Sequence, residues 1–385
     1  MQGNASKEPV SKHAVIDLFS GAGGLSLGAA RAGFSVCGAV EIDAHAVASH
    51  RRNFPKTKHL DQDVSKLTGE YLREKFDLKN GQLAGIVGGP PCQGFSAIGK
   101  GDVLDPRNSL FQDFFRIVAE ARPKFFLAEN VPGILQERYS RIKEKALSLV
   151  EKDYVMLPPM TICARDFGAP TTRTRVFFFG YRQDEIEKQT SDAFLPPNDV
   201  QLVPVRDALR GLPRKISEDW QTEDDGWRIA RVHGTSFYHL RLHGEIPDGV
   251  GDQVAIERLK KEERASGSLG TVHSKEVLKR YSKIESGKVD SVSKSRRLEP
   301  YGYCPTIRAG TDQTRGSFQA VRPIHPTENR VITPREAARL QGFPDWFRFA
   351  PTKWHSFRQI GNSVSPILAE RLLTVIYKSL ADKRE

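Results

Sequence analysis

Residues 83–92 constrain this chain more than any other stretch. Leu83 to Val87 is an apolar run of strand length, and Gly88, Gly89, Pro90, Pro91 and Cys92 follow it directly. The two glycines permit sharp turning at the strand's end. The two prolines then fix φ and remove two backbone donors, so neither a helix nor a central strand can continue. The pattern predicts a cysteine on a stiff platform at the carboxyl end of a buried strand, where open α/β sheets hold their ligands. Residues 93–100, with Gly94, Ser96 and Gly99, have the composition of a mobile loop. Taken alone, a cysteine beside a turn is equally compatible with a buried, inert thiol.

The preceding sequence repeats the theme of a strand delivering polar groups at its end. Val15 to Phe19 is a short apolar strand, Ser20 to Gly24 a turn of small residues, and Leu25 to Ala30 the start of a helix. Strand, glycine-rich turn and helix open a nucleotide-binding βαβ unit, although the third glycine of the dehydrogenase fingerprint is replaced here by Ser26. A second strand, Phe34 to Val40, ends at Glu41, a position from which a carboxylate accepts both hydroxyls of a ribose, the lesser alternative being a carboxylate at a helix N-terminus. Asp63 and Val64 are expected to close a third strand. Leu110 to Ala121 has helical apolar spacing, Lys124 to Ala128 is a strand leading into Glu129-Asn130-Val131, and residues 139–152 read as a helix. Tyr154 to Ile162 and Val176 to Gly180 read as strands around Thr171, Thr172, Arg173 and Arg175. Such alternation predicts a mixed, mostly parallel sheet with helices on both faces.

After Gly180 the alternation stops and charge, Gly, Pro and Ser increase. The organisation expected is a tail at 1–13, a catalytic and cofactor-binding domain at 14–188, and a small domain at 189–348. A hinge at 349–358 and a C-terminal segment at 359–385 follow, the latter carrying an amphipathic helix from Ile367 to about Leu380 that needs an apolar partner. No internal repeat is evident. The four cysteines, Cys37, Cys92, Cys163 and Cys304, show no paired metal spacing, which predicts no metal, no disulfide and a reducing cytoplasm. No apolar run reaches membrane-spanning length, and the polar N-terminus lacks a signal core. Net charge is +11, and residues 258–297 hold 12 Lys/Arg against 5 Asp/Glu. A solvated face and a polyanion-binding surface fit this excess equally.

Taken together, the glycine turn at 17–28, Pro90-Pro91-Cys92, Glu129-Asn130-Val131, Arg173 with Arg175, Arg335 to Asp345 and Gly361-Asn362-Ser363-Val364 closely resemble the motifs of the cytosine carbon-5 DNA methyltransferases. The resemblance covers most of the first 180 residues and the last 50. It implies a Rossmann-like, S-adenosylmethionine-dependent methyltransferase domain with a smaller target-recognition domain, and double-stranded DNA in the cleft between them. It implies Cys92 as nucleophile, Glu129 at cytosine nitrogen-3, Arg175 at oxygen-2 and Arg173 in the same catalytic motif. Phe19, Ser20, Gly21, Ala22, Gly23, Gly24, Glu41, Ile42, Asp63, Val64, Pro90, Leu110, Asn362 and Val364 fall at cofactor positions. Gln93, Ser96 and Lys100 in the loop after the cysteine are assigned to DNA. Thr306, Arg308 and Arg315 form a guessed reading loop, for which a structural turn is the equal alternative. One departure is visible, Thr171 where the family usually has glutamine.

Those residue types suit the chemistry. A thiolate adding to carbon-6 makes carbon-5 enamine-like, and the charge entering the ring is stabilised at nitrogen-3 and oxygen-2. The target base must leave the duplex stack for any of these groups to reach it. The resemblance further implies a prokaryotic modification enzyme, monomeric, cytoplasmic and nucleoid-associated, that protects DNA from a separate restriction endonuclease. A tRNA-acting enzyme of the same fold shares the catalytic motifs, but the Cys-Phe-Thr signature of that branch is missing. Cys92 stands where amino-group methyltransferases carry tyrosine, and a silent DNA-binding regulator has no need of a nucleophile.

Overall fold

The computed structural model describes residues 13–79, 81–91, 109–224, 226–231, 236–310 and 321–381. The expected N-terminal tail lies almost wholly outside them. Eight strands form one sheet: β1 (Ala14–Leu18), β2 (Ser35–Val40), β3 (Lys58–Leu60), β4 (Leu83–Gly88), β5 (Phe125–Asn130), β6 (Val155–Met156), β7 (Met160–Cys163) and β8 (Thr174–Tyr181). Their order is β3-β2-β1-β4-β5-β8-β6, with β7 also paired to β8. The first five run parallel, whereas β8 is antiparallel to β5 and carries β6 and β7 antiparallel in turn. Strand order reverses between β1 and β4, which opens a crevice at their carboxyl ends.

Two strand assignments read from sequence change. The run from Tyr154 to Ile162 is two strands, because Pro158 and Pro159 between β6 and β7 have no N–H for a ladder. Asp63 does not close β3, which ends at Leu60; its Oδ1 accepts from the Ser65 amide at 3.0 Å and caps the short 3-10 turn Val64–Lys66. The helix read over 139–152 keeps regular geometry only over Ser140–Leu147.

Helices α1 (Gly24–Arg31), α2 (Ala44–Asn53), α3 (Gly69–Lys75), α4 (Ser109–Ala121) and α5 (Ser140–Leu147) follow the strands. The apolar spacing of α4 does what it predicts. Phe111, Phe114, Phe115 and Val118 are all buried, and the Phe115 ring meets Phe126 of β5 edge-on at 5.4 Å. Beyond β8 come the shorter α6 (Val205–Ala208), α7 (Phe237–His243), α8 (Gln253–Glu262) and α9 (Lys275–Tyr281), with β9 (Arg228–Ile229) and β10 (Arg264–Ala265) as a separate two-stranded sheet. One hydrophobic core runs from Val15 through Val205, Tyr238 and Ile256 to Phe343 and Ile376. Tyr281, Ile324 and Val331 form a small cluster apart from it.

The chain ends in α10 (Pro334–Gln341), α11 (Lys353–Asn362) and α12 (Pro366–Ala381). Every residue of α10 is buried, two arginines included. Arg339 forks onto Asp345 with bonds of 2.8 and 2.6 Å, while Arg335 donates to the carbonyls of Ser266, Pro344 and Phe347. This satisfaction is what makes buried guanidinium groups tolerable. The partner that α12 requires is α1. A Cβ on Gly28 would lie 2.3 Å from the Ala369 Cβ and 2.6 Å from the Glu370 amide, and one on Gly24 would lie 2.4 Å from the Val364 carbonyl oxygen. Only glycine lets the two helices approach this closely. Gly28→Ala is expected to cost about 1–3 kcal/mol by overpacking, seen as a lower urea midpoint at unchanged m-value. An unchanged midpoint would mean that α12 is not seated on α1 as described.

Candidate active site

At the carboxyl ends of β1 and β4 lies a cavity of about 640 Å³. Its floor is the turn after β1, where Phe19 (φ 59°) and Gly21 (φ 55°) both adopt left-handed backbone. That conformation is uncommon for a bulky side chain and marks a position held by its surroundings. Opposite stands Glu41 at the tip of β2. Its Oε2 accepts from the Gly21 amide at 2.9 Å, and its Oε1 from the amides of Ile42 and Asp43 at 2.8 and 2.9 Å. Burial pushes the Glu41 carboxyl up, against the pull of these three bonds. Beside it the Ile42 side chain is 68% exposed, an apolar surface on the cavity wall.

All the cofactor positions expected from sequence line this cavity except Gly23. Gly23 turns inward: a Cβ there would be 2.4 Å from the Phe54 ring, so this glycine is required for packing beneath the turn. Asn362 and Val364 reach the wall because α12 returns the C-terminus to α1. Sequence reading missed Asp17, Gln359 and Ser363 on the same wall. Asp17 left a usable signal, a carboxylate inside the otherwise apolar strand Ala14–Leu18.

The far wall carries Pro90, Pro91, Glu129 and Arg175. Because β8 runs antiparallel to β5, its amino end meets the carboxyl end of β5, with Glu129 opposite Phe177 and Asn130 opposite Val176. That register brings the Arg175 Nε to 2.6 Å from the Glu129 Oε1. Gly89 makes room for the carboxylate, since a Cβ there would stand 3.1 Å from the Glu129 Oε2. Asn130 donates to the Pro90 carbonyl at 3.4 Å and so ties the Pro-Pro platform to β5.

Arg173 is different in kind. It is buried, and it donates to the carbonyls of Gly361 at 2.8 Å and Asn362 at 3.3 Å. A cation placed there satisfies the free carbonyls at the C-terminus of α11. Arg173 thus braces the turn that holds Asn362 at the cavity, and it lines the cavity itself. Thr171, the departure noted in the sequence, is fully buried and pairs through its backbone with Cys304. The Cys304 amide donates to the Pro170 carbonyl and the Thr172 amide to the Cys304 carbonyl, both at 2.9 Å. The 304–309 segment thus lies along the 170–172 loop, with Thr306 and Arg308 exposed and Ile307 buried between them. Cys92, Gln93, Ser96, Lys100 and Arg315 lie outside the described residues.

Part of the basic run is structural. Arg258 stacks on Trp227 at 4.5 Å, Arg280 pairs with Asp290 at 2.8 Å, and buried Arg297 donates to the carbonyls of Tyr281, His325 and Glu328. Lys260, Lys261, Lys275, Lys279, Lys283, Lys288 and Lys294 remain exposed. Among the described residues, no group of three or more metal-ligating side chains comes together, and no helix is long and apolar enough to cross a membrane.

A crevice at the strand-order reversal, with a half-buried carboxylate on one wall and a carboxylate–guanidinium pair on the other, is the ligand site of an open-sheet α/β enzyme. The profile of the C-5 cytosine-specific DNA methylases matches residues 13–378, and the chain belongs to that family. It is a DNA cytosine-5 methyltransferase. Over 378 residues it is 39% identical to the type II methyltransferase M.XorII of Xanthomonas oryzae pv. oryzae, spanning 96% of this chain and 86% of that one. It is 32% identical to the type II methyltransferase M.DdeI of Desulfomicrobium norvegicum, over 93% of this chain and 87% of that one. Among solved structures, a prophage-encoded E. coli protein assigned as a DNA modification methyltransferase superposes with a TM-score of 0.86. That protein is 50% identical, with 96% of this chain and 99% of that one covered. The Dnmt2 methyltransferase of S. pombe shares the fold at a TM-score of 0.62 and 17% identity, over 96% of this chain and 99% of that one.

Arg173→Ala should lower the free energy of unfolding by about 2–3 kcal/mol, the worth of two charge-assisted bonds at a buried helix end. Arg173→Lys should recover only part of it, because one ammonium does not match the two-carbonyl geometry. Chemical denaturation measures both, and a loss under about 0.5 kcal/mol for the alanine variant would remove the bracing role.

Proposed function

We propose that this enzyme methylates carbon-5 of a flipped-out cytosine in double-stranded DNA through covalent addition of Cys92 to carbon-6, with S-adenosylmethionine in the cavity between Glu41 and Asn362. The observation that carries this reading is the Glu129–Arg175 pair on the cavity wall beside Pro90 and Pro91, the residues that lead into Cys92. Cytosine nitrogen-3 and oxygen-2 are neighbouring ring positions, so a carboxyl and a guanidinium in contact with each other match one edge of one base.

The cavity also suits the cofactor. Its volume falls in the range of about 300–1,000 Å³ usual for small-molecule sites. Glu41 is held by three backbone amides with acceptor capacity left for ribose hydroxyls, and Ile42 offers an apolar face to a purine. Phe19, Gly21, Asp63, Val64, Leu110 and Val364 would complete the enclosure. When bound, S-adenosylmethionine supplies an electrophilic methyl group on a sulfonium. The protein's own residues do the rest. Cys92 would bond carbon-6, with Arg175 at oxygen-2 and Glu129 at nitrogen-3 to stabilise the ring as electron density enters it. Carbon-5 would then take the methyl group, water or another base would remove the carbon-5 proton, and re-forming the 5,6 double bond would expel the Cys92 thiolate.

Exposed lysines in 260–294 would contact phosphates, and Thr306 and Arg308, beside the loop that leads to Arg175, would read bases. The type II relatives favour a role in restriction-modification, with DNA protected from a separate endonuclease in a prokaryotic cytoplasm.

Duplex DNA containing 5-fluorocytosine at the target should trap a denaturation-resistant adduct that peptide mapping assigns to Cys92. Bisulfite sequencing of plasmid from expressing cells supplies the target sequence first. Cys92→Ala should form no adduct and retain under about 1% of turnover while still binding DNA. An adduct at another residue, or none, would sink the covalent mechanism. DNA affinity should fall about a thousandfold between roughly 50 and 200 mM salt if six or more phosphates are contacted. A flat response would contradict the role of the lysines.

A further inference from the structure

Behind the cavity a line of hydrogen bonds runs out through the protein. The Ser26 hydroxyl lies 2.6 Å from the Asp17 Oδ2 and 2.9 Å from the His50 Nε2. The His50 Nδ1 lies 2.8 Å from the His59 Nε2. Asp17, Ser26 and His50 are completely buried, whereas His59 on β3 is partly exposed. At the inner end Asp17 lines the cavity, and its Oδ1 is buried without a hydrogen-bond partner. A buried, half-satisfied carboxyl group is costly unless it is protonated or meets a donor.

We propose that Asp17, Ser26, His50 and His59 form a proton relay, through which Asp17 loses its proton to solvent when a ligand bearing an ammonium group enters the cavity. This rests on the cofactor reading above. The transfer balances along the line. Asp17 gives its Oδ2 proton to Ser26, and Ser26 gives its own to the His50 Nε2. His50 passes its Nδ1 proton to the His59 Nε2, and His59 releases its Nδ1 proton to water. One carboxylate is left inside, one proton appears outside, and both imidazoles have exchanged tautomer.

The surroundings favour this sequence. Burial, with Glu41 adding to it, pushes Asp17 up to about 7, while burial pushes His50 well below and His59 down to about 4. Both rings are therefore neutral near pH 7 and transfer protons without storing charge. From β2 the group facing Asp17 is Glu41, and β4 brings no ionisable side chain. Helix α1 brings Ser26, α2 brings His50, and His59 is flanked by Arg51 and Asp61. Glu129, Arg173 and Arg175 stand on the far wall. The sign follows. Asp17 must ionise for tight binding, so affinity is lost as pH falls through 7 and should be about tenfold weaker at pH 6 than at pH 8.

The test uses the full chain and S-adenosylhomocysteine, which carries the ammonium but no transferable methyl. Titration calorimetry at pH 7 in buffers of different ionisation enthalpy should show about half a proton released per site, because a group titrating near 7 is half protonated there. Nitrogen-15 NMR of labelled histidine should show His50 and His59 moving from the Nδ1–H to the Nε2–H form on binding. Asp17→Asn should abolish both signals; should that variant not fold, the two wild-type measurements decide alone. Binding heat without proton release overturns the proposal and leaves the cofactor reading intact. Release without a tautomer change overturns the route through the histidines. No binding heat at all overturns the cofactor reading and the relay with it.

Discussion

The close approach of α12 to α1 is the contact on which the rest depends. It is permitted by Gly24 and Gly28, where any side chain would meet the backbone near Val364 or Glu370. Burial along α12, with Ile367, Leu368, Leu372 and Ile376 fully inside, drives the two together. The consequence for the site is direct. The turn Ser363-Val364 is set against the first turn of α1, so the cavity joins residues more than 330 positions apart in the chain. Arg173 holds the same turn from the sheet side through the carbonyls of Gly361 and Asn362. Two independent restraints thus position the C-terminal wall.

Strand direction sets the opposite wall. A parallel β8 would carry its amino end to the far edge of the sheet. The antiparallel course places Arg175 beside Glu129 and lets two loops from distant parts of the chain face one crevice. Behind them α10 contributes rigidity. Its arginines are buried, yet their donors end on Asp345, on backbone carbonyls, on the Ser266 hydroxyl and on the His239 ring, and Asp345 is held well below the usual carboxylate range by Arg339 against the cost of its own burial. This explains why a charged stretch from Arg335 to Asp345 belongs to the core.

Ser26 shows how a departure from a motif acquires meaning only in three dimensions. In the linear pattern it marks a missing third glycine. In the fold it bridges Asp17 to His50, two residues that no spacing rule connects. Gly23 shows the reverse, a motif glycine that belongs to packing against Phe54 and not to the cavity. Arg173 and Arg175 differ by two positions, read alike in sequence and both line the crevice, and yet one binds the carbonyls of Gly361 and Asn362 and the other the carboxylate of Glu129. Neighbouring residues of similar type are separated by burial, which a linear pattern does not encode.

The sequence by itself determined the βα alternation, the Gly-Gly-Pro-Pro platform, the polar groups at strand ends and the family. Each of these follows from local chemistry: missing donors at proline, free φ at glycine, and apolar periods of two or 3.6 residues. The tertiary structure alone decided that β8 is reversed and that Thr171 pairs with Cys304. It alone joined Asp17 to His59. Phe125 and Tyr181 are 56 positions apart, Thr171 and Cys304 133, and Asp17 and His59 42, so these contacts are settled by packing and register across the chain. No window of sequence contains the competition that they resolve.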